Sequence, residues 1–162
     1  MTSRIRVHAH LRLLYTGTEI HAHALTGPLY LQIGEDEFFP FEGATTVVAV
    51  VLGWWINNAM RLLLPDSAVD NITMDSSASF QTERAAGTDD VTLRLCDSDG
   101  RSRGQYVVSY RRYLASLRGA AKSLLHEIEA HSLVGHSDAE PLRDNVTHIE
   151  RLEERIKTHG LP

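Results

Sequence analysis

Cysteine is nearly absent from this sequence, which has a single one, Cys96, among 162 residues. A lone cysteine forms no intramolecular disulfide and no thiolate cluster for a metal, so a reducing compartment is expected. An apolar block of the signal-peptide kind is also missing near the start, where arginine and histidine alternate with apolar residues. These absences predict a cytoplasmic protein.

An excess of basic residues is missing too. The chain has 16 Lys and Arg against 21 Asp and Glu, a formal net charge of −5, whereas nucleic-acid-binding proteins usually present a basic face. No apolar run has the roughly 20 residues that a transmembrane helix needs. The composition, 43% hydrophobic and 23% charged, is that of an ordinary globular protein. We therefore expect no nucleic-acid partner and no membrane partner.

Familiar catalytic motifs are missing as well. The sequence has no glycine-rich phosphate loop and no G-x-S-x-G nucleophile motif. The segment from His126 to His131 resembles the zinc-protease motif H-E-x-x-H but has one residue too many. Its two histidines therefore lie about 140° apart on a helix and do not share a face. The sequence favours a protein without catalytic activity.

The most apolar stretch that is present covers residues 45–64 and carries the pair Trp54-Trp55. It is too long for a strand, and two asparagines and an arginine interrupt it, so we predict a helix. On a helical wheel the polar residues form one narrow stripe, so most of the circumference should be buried. Trp55 is expected in the core and Trp54 at its margin.

Alternating polarity predicts two strands near the start, over residues 4–13 and 19–24, joined as a hairpin by a two-residue loop. If their apolar sides coincide, all histidines of the two His-Ala-His triplets share the polar face. These histidines are His8, His10, His21 and His23. Such a cluster suits zinc, which makes a histidine-cluster metal-binding protein or metalloenzyme one hypothesis. The alternative is a polar sheet face without metal.

The rest of the chain supplies more strands and two helices. A strand over residues 29–33 is followed by an acidic turn at 34–37. Four later strands are predicted around residues 69–74, 79–84, 91–96 and 105–110. A helix over residues 112–132 and another over about 138–159, the latter begun by a Ser137/Glu140 capping box, complete the pattern.

These elements predict an α+β fold, in which an antiparallel sheet of about seven strands is packed with a buried central helix and two C-terminal helices. One domain covering residues 1–162 is expected. The last helix, about 138–159, has only a thin apolar seam. That seam either docks on the flank of the domain or pairs with a partner helix, which would give a homodimer.

Acidic residues provide the candidate partner-binding surface. Glu35, Asp36 and Glu37 lie beside three phenylalanines, and Asp89 and Asp90 form a second acidic pair. Carboxylates next to exposed aromatic side chains would suit a basic protein partner. The alternative is an acidic turn whose phenylalanines are buried.

Three stretches carry a resemblance to a known group of proteins. They are Phe39-Pro40-Phe41-Glu42 leading into Val51–Trp55, the pair of strands around Leu93 and Val107, and Tyr113-Leu114 opening an amphipathic helix. Together they resemble small bacterial proteins of the polymorphic-toxin immunity type, and the His-Ala-His triplets are not part of that pattern. The resemblance implies a non-enzymatic protein that blocks a partner protein by binding it, without a cofactor. Zinc would be expected under the histidine hypothesis.

Overall fold

The structure, a computed structural model, describes residues 1–64, 67–74 and 76–162. Within these ranges the strands are β1 (Ile5–Ala9), β2 (Gly27–Ile33), β3 (Glu37–Phe39), β4 (Thr45–Thr46), β5 (Ser67–Ile72), β6 (Ser79–Arg84), β7 (Asp90–Cys96) and β8 (Ser102–Ser109). The helices are a short 3-10 helix (Gly17–Ala22), α1 (Val48–Arg61), α2 (Tyr110–Ala130) and α3 (Ala139–His159). The α+β class predicted from the sequence is confirmed.

The strands form two antiparallel sheets of four strands each, instead of the single sheet of about seven that the sequence predicted. In the first sheet β1, β2 and β3 are neighbours and β4 pairs with β2, while the second sheet has the order β5-β6-β7-β8. An isolated parallel bridge between Ser3 and Val108 connects the segment before β1 to β8. The buried residues of both sheets and of the helices form one hydrophobic core.

The predicted His-Ala-His hairpin is wrong, because β1 pairs with β2 and not with residues 19–24. Val7, for example, lies opposite Leu31. Most of the second predicted strand lies instead in the 3-10 helix, of which Ile20 is the buried residue. The apolar side of that segment consists largely of small alanines. Burying the leucines and isoleucine of β2 removes more apolar surface from water, so β2 is the more favourable partner for β1.

Helix α1 confirms the prediction of a buried central helix. Trp55 is 0% exposed and packs edge-on against Phe80, with ring centroids 5.0 Å apart, whereas Trp54 is 40% exposed. The neighbouring helix α3 approaches at Gly53, where an added Cβ would lie 3.1 Å from the Asn145 side chain. No helix within the described ranges is long and apolar enough to cross a membrane.

Side chains of α2 cover the outer edge of β1. Ser116 Oγ accepts a hydrogen bond from the Val7 amide (2.7 Å), and Glu127 Oε2 accepts one from the Leu11 amide (2.7 Å). An uncovered edge strand presents unpaired backbone groups to which another strand can bind. The helix therefore satisfies these amides and opposes edge-to-edge association.

Side chains of α1 cover the edge strand of the second sheet in the same way. The Asn58 side-chain amide donates to the main-chain oxygen of Asp70 (3.0 Å), and the Trp55 indole donates to that of Ile72 (2.9 Å). The buried tryptophan thus satisfies its one donor while its ring packs in the core.

Helix α3 docks on α1 and α2 through its apolar seam, which was one of the two predicted alternatives. The seam residues are all buried, namely Leu142, Val146, Ile149, Leu152 and Ile156. Two ion pairs border the contact with α2, Arg118 with Glu153 (2.8 Å) and Lys122 with Glu150. The seam that suggested a homodimer is therefore covered within the chain.

The start of α3 differs from the predicted capping box. Asp138, not Ser137, occupies the N-cap position, and it makes no side-chain capping bond. Its carboxylate accepts a hydrogen bond from the Leu25 amide instead (2.8 Å). A tertiary contact has therefore replaced the local motif.

Candidate functional site

The histidines predicted to share one face of a sheet have separate surroundings in the structure. His8 lies in β1 and His10 follows it, whereas His21 belongs to the 3-10 helix and His23 follows that helix. The hairpin that would have gathered them is absent, so the geometrical basis of the four-histidine site is wrong. Within the described ranges, no group of three or more His, Cys, Asp or Glu side chains is placed to hold a metal ion.

Two of these histidines make contacts that stabilise the fold. His10 Nδ1 lies 3.0 Å from Glu127 Oε1, the carboxylate whose other oxygen accepts the Leu11 amide. His23 stacks on Tyr15, with ring centroids 3.8 Å apart. The first contact holds the segment after β1 against α2, and the second holds it against the residue that follows the 3-10 helix.

His136, to which the sequence analysis gave no role, is the buried histidine, with 2% exposure. Its Nε2 lies 3.1 Å from the main-chain oxygen of Ile20 and 2.9 Å from that of His23, and its Nδ1 accepts the Asp138 amide at 3.1 Å. These partners require a proton on Nε2 and none on Nδ1. The side chain fastens the 3-10 helix to the α2–α3 loop. A single histidine in a loop has no periodic pattern from which such a role is predicted.

Two of the acidic residues predicted to contact a partner are engaged within the chain. Glu37 pairs with Arg103 (3.0 Å), and Asp89 Oδ2 accepts the Ser109 hydroxyl (2.6 Å) just before α2. Arg103 and Ser109 are six residues apart on β8, a separation of about 20 Å along a strand. The two predicted acidic groups therefore lie near opposite ends of β8 and do not form one surface.

The other three predicted acidic residues are exposed. Glu35 and Asp36 lie in the turn between β2 and β3, and Asp90 is the first residue of β7. Of the neighbouring phenylalanines, Phe39 is buried and Phe41 is 58% exposed. The phenylalanines beside the acidic turn are therefore neither all exposed, as a partner-binding surface required, nor all buried, as the alternative required.

An aromatic row crosses the outer face of the first sheet, formed by His8, Tyr30 and Phe38 and named the aromatic face below. His8 stacks on Tyr30 at 4.6 Å between centroids, and Tyr30 contacts Phe38 in a tilted arrangement at 6.1 Å. All three side chains are half-buried. Partial burial, and then the nearby Glu42 carboxylate, raise the pKa of Tyr30.

Charges of both signs border the aromatic face. Arg4, Arg6 and Glu35 line a hollow of about 230 Å³ at one side, and Glu42 lies near Tyr30. Aromatic residues at the centre and charges at the rim are the usual composition of a protein interface. Cross-strand pairing, which is visible only in the folded sheet, brings the three rings together.

An open groove, named the α1–α3 groove below, lies between the end of α1 and α3. Its volume is about 790 Å³. Met60 and Leu63 form the α1 side, and Leu152, Arg151 and Arg155 belong to the α3 side. Its floor is apolar and its rim is basic. No local sequence pattern indicates this groove, because its two walls are far apart along the chain.

Two buried tyrosines, Tyr110 and Tyr113, lie in the first turn of α2. The Tyr110 hydroxyl donates to the main-chain oxygen of Ala59 (2.9 Å), whereas the buried Tyr113 hydroxyl has no hydrogen-bond partner among the described residues. Burial raises the pKa of Tyr110, against the opposing effect of the Arg84 cation. Burial, and then the neighbouring Tyr110, raise the pKa of Tyr113.

We expect these tyrosines to make the protein sensitive to alkali. The stability linked to the protonation of these hydroxyls is fully present below the usual tyrosine pKa of about 10. It is lost as the pH rises toward their higher folded pKa values, because the unfolded chain then releases protons that the folded chain retains. Tyr113→Phe should be neutral or stabilising by up to about 1 kcal/mol, and Tyr110→Phe should cost about 1 kcal/mol.

Urea unfolding at about pH 8 and about pH 11 measures these differences. Tyr113→Phe should also reduce the loss of stability between the two pH values. An equal loss in this variant and in the unmodified protein would show that Tyr113 does not contribute to the alkaline response.

Comparisons with protein-family models, with curated proteins and with solved structures found no match for this chain.

Proposed function

We propose that this chain is a non-enzymatic cytoplasmic protein of the immunity or antitoxin type, which binds a partner protein and blocks it. The observation that carries the proposal is the aromatic face, where His8, Tyr30 and Phe38 form a contiguous row on the outside of a sheet. Tyrosine and phenylalanine are enriched at protein interfaces because they bury large areas at a small cost in side-chain entropy.

The composition of this surface favours a protein over a small-molecule substrate. A small-molecule site is usually a concave pocket with convergent polar groups, whereas the aromatic face lies on a sheet, beside the hollow of about 230 Å³. Glu35 and Asp36 project from the adjacent turn and are exposed. They are the members of the predicted acidic set that remain suited to contact a basic partner, and Arg4 and Arg6 add charges of the opposite sign.

The roles of the histidines support a non-enzymatic protein as well. His136 is held by main-chain groups and His10 by Glu127. A general base needs a lone pair directed toward a substrate, and both ring nitrogens of His136 are used for contacts within the fold.

Replacing the two larger rings of the aromatic face, Tyr30→Ser with Phe38→Ser, should weaken partner binding at least tenfold. Loss of an aromatic residue at the centre of an interface costs about 2 kcal/mol or more. The partner is first identified by native pull-down from the source organism, and its affinity is then measured with purified proteins. Protection of a heterologous host that expresses the partner should be lost in the same variant.

Tyr15→Ser is the matched control, because Tyr15 is 38% exposed and stacks on His23 outside the aromatic face. It should leave partner affinity within twofold. The proposal fails if native pull-downs return no specific protein, or if the partner binds the double variant as tightly as the unmodified chain while both remain folded by circular dichroism.

A further inference from the structure

We propose that the α1–α3 groove binds an acidic amphipathic helix of a partner protein. The groove shares no residue with the aromatic face, so a variant of one surface leaves the other intact.

The floor of the groove is apolar. Met60, Leu63 and Leu152 line it, and Leu64 at the end of α1 is 62% exposed. A sizeable exposed apolar surface bordered by polar residues is typical of an interaction site. Leu152 is already buried in the core, so burial of the partly exposed Met60 and Leu63 and of the exposed Leu64 would supply the favourable free energy of binding.

The two helices that form the walls of the groove run in the same direction. Gly53 of α1 faces Asn145 of α3, and further along both helices Leu63 lies beside Leu152. A separate, smaller hollow of about 300 Å³, lined by residues that include Trp54 and Pro141, lies between the same two helices nearer their starts. The wall from residue 141 to 159 is about 27 Å long at 1.5 Å per residue. A helix of about five turns matches this length, and an amphipathic helix is a common occupant of such grooves.

The rim of the groove is positively charged although the whole chain carries −5. Arg151, Arg155 and His159 follow one another at four-residue intervals on α3, and His148 lies one turn before Arg151. Neither arginine forms an ion pair with another residue in the described ranges, and Glu154, the acidic residue of the lining, is 3.6 Å from Lys157. Carboxylates at the same four-residue interval on an occupant helix would face these side chains.

Stabilisation of α3 by itself does not account for this row of cations. Basic residues in the last turn of a helix complement its dipole, and the effect is confined to that turn. His159 and Lys157 occupy that position. Arg151 lies two turns earlier, so its exposed charge has no such role.

A synthetic 18-residue peptide tests the proposal, with leucine at core-facing helical positions and glutamate on both flanks. Fluorescence anisotropy of the labelled peptide should show saturable binding to the full chain. Arg151→Glu with Arg155→Glu should weaken it about tenfold, because two attractive pairs become repulsive. Arg101→Glu with Arg112→Glu is the control, with the same change in net charge at exposed residues outside the groove. It should change the affinity less than twofold.

Three results would overturn the proposal. The first is absence of saturable binding at millimolar peptide, and the second is equal binding of a matched peptide with lysine in place of glutamate. The third is an equal loss of affinity in both double variants, which would indicate a general charge effect. Phosphatidylglycerol vesicles and an oligo-dT strand are tested in parallel. Tighter, Arg151-dependent binding of either would assign the groove to a membrane surface or to nucleic acid instead.

Discussion

Gly27→Ala is expected to destabilise the protein by about 3 kcal/mol or more, at the upper end of overpacking effects. An added Cβ would lie 1.8 Å from the main-chain oxygen of His10 and 3.1 Å from the Arg12 nitrogen. Both are backbone atoms, so no side-chain rotation relieves the clash. The same backbone is held in place because the amides of His10 and Arg12 donate to Pro28 and Thr26 (3.0 and 2.8 Å).

Urea unfolding of Gly27→Ala beside Gly119→Ala isolates this effect. Gly119 lies inside α2, is exposed, and an added Cβ there meets nothing within 4 Å. That substitution should stabilise by about 0.5–1 kcal/mol, because alanine favours a helix interior over glycine. The same glycine-to-alanine substitution should therefore change the free energy of unfolding in opposite directions at the two positions. If the free energy of unfolding of Gly27→Ala is within about 0.5 kcal/mol of that of the unmodified chain, the backbone segments around His10 and Gly27 separate at little cost.

Arg84→Met is expected to cost about 2–4 kcal/mol, because two main-chain acceptors lose a charged donor. Arg84 is 0% exposed. Its Nη1 donates to the oxygen of Leu62 at the end of α1 (3.1 Å), and its Nη2 donates to that of Pro162 (2.7 Å). The guanidinium also lies over the Tyr110 ring, 5.3 Å from its centroid.

Removing a buried charge also relieves a desolvation penalty, which acts in the opposite direction. We expect the orphaned acceptors to dominate, because methionine has no donor and the carbonyl at the end of α1 would remain buried. The stability of Arg84→Lys should lie between that of the unmodified protein and that of Arg84→Met. The lysine ammonium is a compact donor and does not reproduce the planar fork of arginine.

Hydrogen exchange localises the effect of Arg84→Met. Faster exchange is expected for the amides of the last turn of α1, where Met60 and Leu63 line the α1–α3 groove. Arg101→Met at an exposed turn should leave stability within about 0.5 kcal/mol. If Arg84→Met is as stable as the unmodified chain and α1 exchanges as before, Arg84 does not hold the helix end.

Elements with strong local patterns were predictable from the sequence. The strand β7 lies within a residue of its predicted bounds, and α1 is buried with Trp55 in the core. Strand β2 was predicted over residues 29–33 and begins two residues earlier. In these segments the apolar residues recur with the period of the element over enough residues for one structure to be favoured.

The weaker patterns failed where two segments competed for the same partner. Residues 19–24 alternate in polarity as a strand does, but β1 pairs with the more apolar β2. The four histidines were predicted to cluster only because that hairpin would bring them together. Since β1 pairs with β2 instead, the basis for that prediction is absent. Similarly, the Ser137/Glu140 motif is present in the sequence, yet Asp138 is the N-cap residue and binds the Leu25 amide.

The sequence by itself determined which segments are helices and strands in most of the chain, and which side of each faces the core, because those properties depend on residues a few positions apart. Only the tertiary structure decided how the strands divide into two sheets, which carboxylates are engaged within the fold, and where the aromatic face and the α1–α3 groove lie. These features join residues up to about a hundred positions apart, such as Leu63 and Leu152. Their formation depends on the burial of the whole core, which no local pattern records.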